Sequence, residues 1–385
     1  MRRLLYVFSA LILACLPWKA LASGPEKEKE YVDYVMEHIA DANEFHVFGS
    51  VHIPLPCILY AKDKGLDVFM SSAFEHGHKS VNGYVLDHGD VKRIKGWNHS
   101  MHVEHVDSTT AEKTDAGVLY FAWSHGEKYS LEKPSTLLKA TSWVDFSISK
   151  NVFSMLLAVV LLFVLFISIR RSYERREGMA PSGLQSFMEP IFTFMRDEVV
   201  KPNIGPKYER YMPFVMSLFF FVLFCNLLGL IPFFPGSANI TGNLATSMAL
   251  AVFTMLVVNL NGNRHYWQHI FWMPGIPIPI RFILAPIEFA SVFIKPFTLF
   301  IRLFANVAAG HVIILCLVGL VFILGDNGRN LVGAASGGVL AVLFVVVMNL
   351  LELFVAFLQA FIFALLTSLY IGSAIEEHHH EEAHH

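Results

Sequence analysis

Polar and apolar positions divide this chain into two unequal parts. From residue 23 to 150, charged and histidine-bearing stretches alternate with short apolar ones, whereas 152 to 372 consists of long apolar runs broken by brief loops. The uncharged run from Val152 to Ile169 is of spanning length, since crossing the hydrocarbon core takes about 20 apolar residues. Further runs cover Met212 to Phe234 and Leu244 to Leu260, and the rest falls into two very long stretches, Phe282 to Leu324 and Leu331 to Ile371. At about 1.5 Å per residue, forty helical residues reach about 60 Å, twice the hydrocarbon thickness. Each long stretch therefore either splits into two helices or forms one helix strongly tilted or bent in the membrane. Between the first two spans, Leu184, Phe187, Met188, Ile191, Phe194 and Met195 recur at helical spacing opposite Glu189, Arg196 and Asp197. That pattern predicts a helix along the membrane surface.

The amino-terminal part reads differently. Arg2 and Arg3, an apolar run from Leu4 to Leu16 and Ala20-Leu21-Ala22 before Ser23 have the order of a secretory signal peptide cleaved after Ala22. Residues 1–22 are thus expected to be a leader and 23–150 an exported, periplasmic domain. Glu26 to Glu37 reads as helical. Glu44 to Ile53, Ile58 to Ala61, Val81 to Leu86 and Val118 to Trp123 read as short strands between Gly, Pro and Asp punctuation, giving a mainly-β or α+β unit. Arg170, Arg171, Arg175 and Arg176 directly after the first span agree with an outside-to-inside crossing, because positive charge collects on the cytoplasmic side. A bacterial inner membrane with a cytoplasmic carboxyl terminus follows. Cys57 stands alone in the exported part, so no internal disulfide framework is available there.

Composition supports the division: 54% of the 385 residues are hydrophobic and 16% charged, with a mean hydropathy of +0.49, poor values for an ordinary soluble globule. The formal net charge of -3 and the lack of a basic stripe set aside a nucleic-acid partner. Ten histidines fall in the exported part. Of these, His76, His78, His99 and His102 are candidate ligands for zinc or copper. No Cys or carboxylate completes a recognisable ligand set along the chain, so solvated surface residues are the expected reading, and no cofactor is expected.

Charges inside the apolar stretches carry the chemistry. Glu288, Lys295, Arg302, His311 and Glu352 lie in otherwise apolar sequence, where an ionisable group costs several kcal/mol unless paired or wet. Lys295 is the one expected to snorkel to an interface. Arg302 stays protonated and cannot relay a proton, but it can stand as a permanent positive barrier. On a helix, Arg302 and Asn306 share a face, and Glu288 lies within about 40° of it four turns earlier. His311 is turned about 180° away and lies about 13 Å along the axis. Glu352 and Gln359, seven apart, stack on one face of the last stretch.

The segment Lys295-Pro296-Phe297-Thr298-Leu299-Phe300-Ile301-Arg302-Leu303-Phe304-Ala305-Asn306-Val307-Ala308-Ala309-Gly310-His311 resembles the central motif of subunit a of F-type ATP synthases. Asn226-Leu227-Leu228-Gly229-Leu230-Ile231-Pro232 and Leu358-Gln359-Ala360-Phe361-Ile362-Phe363 are similar to two further family motifs, in order and spacing across residues 150 to 377. The resemblance implies an all-α polytopic membrane protein with two long tilted C-terminal helices, joined to the N-terminal exported domain. Domain limits of 151–377 for the membrane part and 378–385 for a solvated His/Glu-rich cytoplasmic tail follow. It implies a stationary, non-catalytic ion-conducting subunit, with the c-ring, peripheral stalk subunit b, the other synthase subunits and the lipid bilayer as partners. Arg302 falls on the arginine that faces the ring carboxylate, with Asn306 and Gln359 near that contact. His311 and Glu352 fall on an acid and histidine pair of the outer half-channel, and Glu288 and Ser291 on polar positions of the inner one. The exported domain is much longer than the amino-terminal segment usual in the family.

Two other classes bury charges in membranes. A secondary ion-coupled transporter carrying an exported metal-binding domain should show matched halves or inverted repeats, and none is found. An intramembrane hydrolase needs a nucleophile and base or a metal pair, and no His-Glu-x-x-His or Gly-x-Ser-x-Gly occurs in the apolar part.

Overall fold

A computed structural model describes residues 41–375, apart from 49–50, 88, 99–100, 102, 115–116, 137–139, 232–233, 235, 237, 239, 273–276 and 325–330. The expected leader, the helix expected over Glu26 to Glu37, His99, His102 and the tail from Glu376 lie outside the described residues.

The described residues between 41 and 145 are β-rich, with ten strands among them: β1 (Glu44–Phe48), β2 (Val51–Pro54), β3 (Pro56–Ala61), β4 (Gly65–Met70), β5 (Tyr84–Asp87), β6 (Asp90–Ile94), β7 (Ser108–Thr114), β8 (Gly117–Ser124), β9 (Glu127–Glu132) and β10 (Trp143–Asp145). They form a β1-β2 ribbon, a three-stranded sheet ordered β10-β3-β4 and a five-stranded sheet ordered β5-β6-β9-β8-β7, with every named pair antiparallel. Strand β5 explains how two small cores coexist. Successive side chains point to opposite faces, so Tyr84 and Leu86 enter a cluster with Cys57, Leu59, Phe74 and Trp143. Val85 enters a second cluster with Ile94, Val106 and Ala122. The expected strands coincide with apolar stretches of the sequence; β6, β7 and β9 are more polar and become strands through their pairing partners, whereas β4, Gly-Leu-Asp-Val-Phe-Met, is largely apolar.

The β-rich region is joined firmly to the first long helix, α1 (Lys150–Arg175). Ser149 caps α1 and donates to Asp41 Oδ2 at 2.6 Å, Asp41 Oδ1 accepts from the Asn151 N–H at 3.1 Å, and the Lys150 N–H donates to the Ala42 carbonyl at 2.8 Å. A carboxylate at a helix start is favoured by the unsatisfied N–H groups there. Phe45 adds edge-on ring contacts with Phe153 and Phe234.

Beyond α1 the described chain is helical: α2 (Leu184–Phe194), a π-helical turn Met195–Val200, α3 (Tyr208–Gly229), α4 (Leu244–Leu260), α5 (Arg264–Phe271), α6 (Ile278–Leu324) and α7 (Leu331–Ile375). Among the described residues, four helical segments are long and apolar enough to cross a membrane, or five if the α4–α5 pair, bent by 106°, counts as one span. The chain is a helical polytopic membrane protein with a β-rich region before it. Of the two alternatives for the long stretches, the uninterrupted one holds: α6 has 47 residues and α7 has 45. Pro286 and Pro296 lie inside α6, as prolines can in membrane helices whose neighbours re-satisfy the freed backbone groups.

Helix α3 is apolar all round and is the buried one. Its Val215, Phe219, Phe220 and Val222 pack with Leu299 and Leu303 of α6 and with Ala360, Phe363, Ala364 and Ile371 of α7. Ala356, Ala360 and Ala364 recur every fourth residue on the buried side of α7, and small residues at this spacing let helix backbones approach closely. Near the end of α7, a Cβ on Gly372 would fall on the Asn203 carbonyl oxygen, so only glycine fits that crossing. Asn263 then holds the last turn, its N–H donating to the Ala374 carbonyl at 2.9 Å and its Nδ2 to the Ile375 carbonyl at 2.9 Å.

Candidate functional site

The polar positions singled out in the apolar region fall mainly on the two long helices, and two contacts set how these helices meet. Lys295 Nζ lies 5.5 Å from the Tyr370 ring centre. A Cβ built on Gly310 would fall on the Glu352 carboxylate. An early position of α6 thus meets a late one of α7, and a later position meets an earlier one, so the helices run antiparallel. Arg302 lies between Lys295 and Gly310 and therefore opposite the part of α7 between Glu352 and Tyr370, which holds Gln359.

Arg302 sits at a boundary on α6. Leu299 and Leu303 beside it are buried, Phe297 and Ile301 are exposed, and Arg302 itself is half-buried. It is close enough to the Tyr370 hydroxyl for electrostatic contact. No carboxylate pairs with it among the described residues. Around it both helices carry broad exposed apolar faces, including Phe289, Phe293, Ile294, Leu350, Phe354 and Phe357. Gln359 is buried, 2% exposed. The backbones of Asn306 and His311 lie in α6, but their side chains fall outside the described residues.

Two polar neighbourhoods flank this arginine. Toward the start of α6, Glu288 and Ser291 meet: the Ser291 hydroxyl donates to the Glu288 carbonyl at 2.6 Å and lies 3.5 Å from its Oε2. Glu288 is in electrostatic contact with Tyr266, whose hydroxyl donates to Asn259 Oδ1 at 3.0 Å. Tyr266 and Asn259 line a small cleft with Thr254, Val258, Lys295, Leu299 and Tyr370. The buried Thr254 hydroxyl on its wall has no hydrogen-bond partner among the described residues, a situation that costs roughly 1–3 kcal/mol in a dry interior. Toward the other end of the hairpin, the half-buried Glu352 stands against Gly310, one residue before His311. Nearby, Asn226 of α3 donates to the Ala356 carbonyl at 3.1 Å and accepts from the Thr241 hydroxyl at 2.6 Å, and the Ser247 hydroxyl donates to the Thr241 carbonyl. This buried chain of polar groups joins α3, the following loop, α4 and α7.

The structure thus brings Arg302, Gln359 and Glu352 onto one helix pair and Glu288 onto Ser291. Reading by residue type missed Gly310, Tyr266, Asn259 and Tyr370. Gly310 gives no chemical signal of its own; what marks it is contact with a residue 42 positions away. The polar aromatics Tyr266 and Tyr370 border apolar runs, which was the available clue.

Among the histidine candidates, His76 meets Glu44 and His52 rather than His78. His76 Nδ1 is 3.7 Å from Glu44 Oε2 and His52 Nδ1 is 3.4 Å from Glu44 Oε1. His78 is exposed and stands outside that group.

Two family descriptions match the chain: ATP synthase A chain over residues 152–372, and Domain of unknown function (DUF8433) over residues 34–116. Similar curated proteins include ATP synthase subunit a of Chloroherpeton thalassium, 40% identical over 248 residues, covering 62% of this chain and 70% of the relative. The same-named protein of Pelodictyon phaeoclathratiforme is 41% identical over 245 residues, covering 62% and 68%. ATP synthase subunit a of an Anaeromyxobacter strain is 36% identical over 325 residues, covering 80% of this chain and 75% of the relative. That last alignment takes in part of the region before residue 152, so the extended amino-terminal part is not peculiar to this chain.

Proposed function

The chain belongs to the ATP synthase A chain family, and from that premise we propose that it is the stationary ion-conducting subunit of a rotary ATP synthase, coupling proton flow to rotation of a c-ring through Arg302. The observation that carries this reading is the placement of Arg302. It is a permanent cation at the border between the buried seam and an exposed apolar face of α6, without a carboxylate partner among the described residues. A charge at membrane depth costs several kcal/mol unless it is paired or wet, and a carboxylate arriving on a moving neighbour would supply the partner intermittently.

The two polar neighbourhoods serve as half-channels on either side of that cation. A proton enters past Glu352 and the His311 position and neutralises a ring carboxylate, which can then move into lipid. After nearly a full turn the carboxyl meets the second path, lined by Glu288, Ser291 and the Tyr266–Asn259 cleft, and releases its proton. The unpaired Thr254 hydroxyl supports a wet lining there. Arg302, with Asn306 and Gln359 beside it, draws each returning carboxylate out of lipid and blocks direct leakage between the paths. Moving one charge across the membrane yields about 2.3 kcal/mol per 100 mV, so several crossings are coupled to each synthesis event on the partner head.

The arrangement in the membrane belongs to the same proposal. Helices of 47 and 45 residues would reach about 70 Å if upright, more than twice a hydrocarbon core of about 30 Å, so α6 and α7 lie steeply tilted and follow the ring. Residues 1–22 act as a signal peptide, 23–150 lie in the periplasm, 151–377 form the bacterial inner-membrane domain, and the 378–385 tail is cytoplasmic. Peripheral stalk subunit b anchors the chain against rotation. The test is ATP-driven proton uptake by vesicles holding the assembled complex. Arg302→Ala should abolish uptake while the complex still assembles; ordinary pumping by that variant would refute the reading.

A further inference from the structure

The β-rich region carries a convergent group that the ion path does not use. Glu44 on β1 is paired in register with Pro54 of β2, so His52, two residues earlier on β2, lies on the same face of the ribbon. His76 arrives from a separate element, the 3-10 segment Ser71–Gly77. That segment is tied back to the end of the ribbon: the Ser71 N–H donates to the Leu55 carbonyl at 2.9 Å, and the Leu55 N–H donates to Ser71 Oγ at 3.1 Å. Phe74 is fully buried beneath it. Glu75 and His76 then take left-handed backbone conformations, φ 48° and 58°, which non-glycine residues adopt only when their surroundings enforce them. The turn swings the His76 ring to within 4.4 Å of the His52 ring, centre to centre.

One ligand atom from each of the three residues lies within 4.8 Å of the others. A tetrahedral ion with bonds of about 2.0–2.1 Å keeps its ligand atoms roughly 3.3–3.4 Å apart. The 3.4 Å from His52 Nδ1 to Glu44 Oε1 and the 3.7 Å from His76 Nδ1 to Glu44 Oε2 are each close to that spacing, one imidazole facing each oxygen of the carboxylate. From this geometry we infer that Glu44, His52 and His76 form a binding site for one divalent transition-metal ion of the zinc type. Two imidazoles and one carboxylate are a donor set such an ion favours, and three protein ligands leave its fourth position to water. The Glu44 and His52 side chains are mostly sheltered, 18% and 22% exposed, whereas His76 is 58% exposed and leaves a way in.

The full-length chain in detergent tests this with zinc as the probe. His378, His379, His380, His384 and His385 are changed to alanine in every sample, because these tail histidines would compete for metal. After chelator treatment, calorimetric titration should show one zinc bound per chain, and cobalt(II) at the same site should give the visible absorption of a four-coordinate nitrogen and oxygen environment. Glu44→Gln, His52→Ala and His76→Ala should each weaken zinc binding at least about tenfold, whereas His78→Ala should leave it unchanged. Glu44→Gln keeps the side-chain shape, so its metal-free thermal transition should match the parent and separate ligand loss from misfolding. No zinc bound by the parent, or equal affinity in the parent and all three ligand variants, would overturn the site.

Discussion

The β-rich region and the two long helices treat charge in opposite ways. In the β-rich region, several cations are paired within the chain: Lys92 with Asp87, Arg93 with Asp63, Lys128 with Glu112 and Lys64 with Asp67. Lys92 also lies 3.7 Å from the Tyr120 ring centre. On α6 and α7, Glu288, Lys295, Arg302 and Glu352 form no ion pair among the described residues, although their surroundings are far less polar. Among the described residues, the ion pairs of the helical part, Arg170 with Glu174 and Arg196 with Asp197, are exposed and lie outside the hairpin. Pairing a charge where it is placed makes a stable fold. Leaving it unpaired in an apolar slab is costly to folding and makes sense as provision for a partner that comes and goes.

The sharpest way to break this contrast is to give Arg302 a permanent partner. Ala305 is exposed one turn further along α6, and side chains three apart on a helix can pair. Ala305→Glu should therefore hold the guanidinium and lower ATP-driven proton uptake at least about tenfold in vesicles bearing assembled complex. Unimpaired pumping would show that the cation need not be free. Next in size is an effect confined to the other region. Trp143 is fully buried beside Tyr84, and removing a buried tryptophan costs about 3–5 kcal/mol. Trp143→Ala should abolish or strongly lower the thermal transition of the β-rich region, read by tryptophan fluorescence, with proton uptake per assembled complex close to that of the parent. A parallel loss of uptake would mean that the regions are functionally joined through the Asp41–Ser149 contact.

The smallest effect sharpens the contrast from the paired side. The hydrogen bond from Arg93, reinforced by its charge, holds the Asp63 carboxyl below the usual aspartate range. Stability from this pair is fully present above the unfolded aspartate value of about 3.9 and is lost as pH falls through the lower folded value. Asp63→Asn should lower the thermal midpoint slightly at pH 7, by an amount limited by the exposure of Asp63. The gap from the parent should close as pH falls from 5 to 2. A gap that stays constant with pH would assign the effect to packing.

The helical part was legible because lipid leaves so few options. Backbone groups in a bilayer must be satisfied within the segment, so long apolar runs become helices, and the expected run Leu244 to Leu260 coincides with α4. The β-rich region was legible only in part. Strands such as β7, with the sequence Ser-Thr-Thr-Ala-Glu-Lys-Thr, have little apolar alternation and exist because β8 pairs with them. The order of the five-stranded sheet, in which β6 neighbours β9, depends on contacts between residues far apart along the chain.

The candidate sites divide in the same manner. Arg302, Glu288, Glu352 and Gln359 stand out from sequence because an ionisable or amide side chain in an apolar run is conspicuous by type alone, helical periodicity already places Glu352 and Gln359 on one face, and Ser291 was reached only through the family resemblance. That α6 and α7 are single unbroken helices, that Glu352 rests on Gly310, that Tyr266 and Asn259 line a cleft beside Glu288, and that His76 joins Glu44 and His52 were decided by tertiary structure. The physical reason is that composition and periodicity are local quantities, set by a residue and its near neighbours, whereas ligand geometry and helix register arise when packing brings together groups separated by tens of residues.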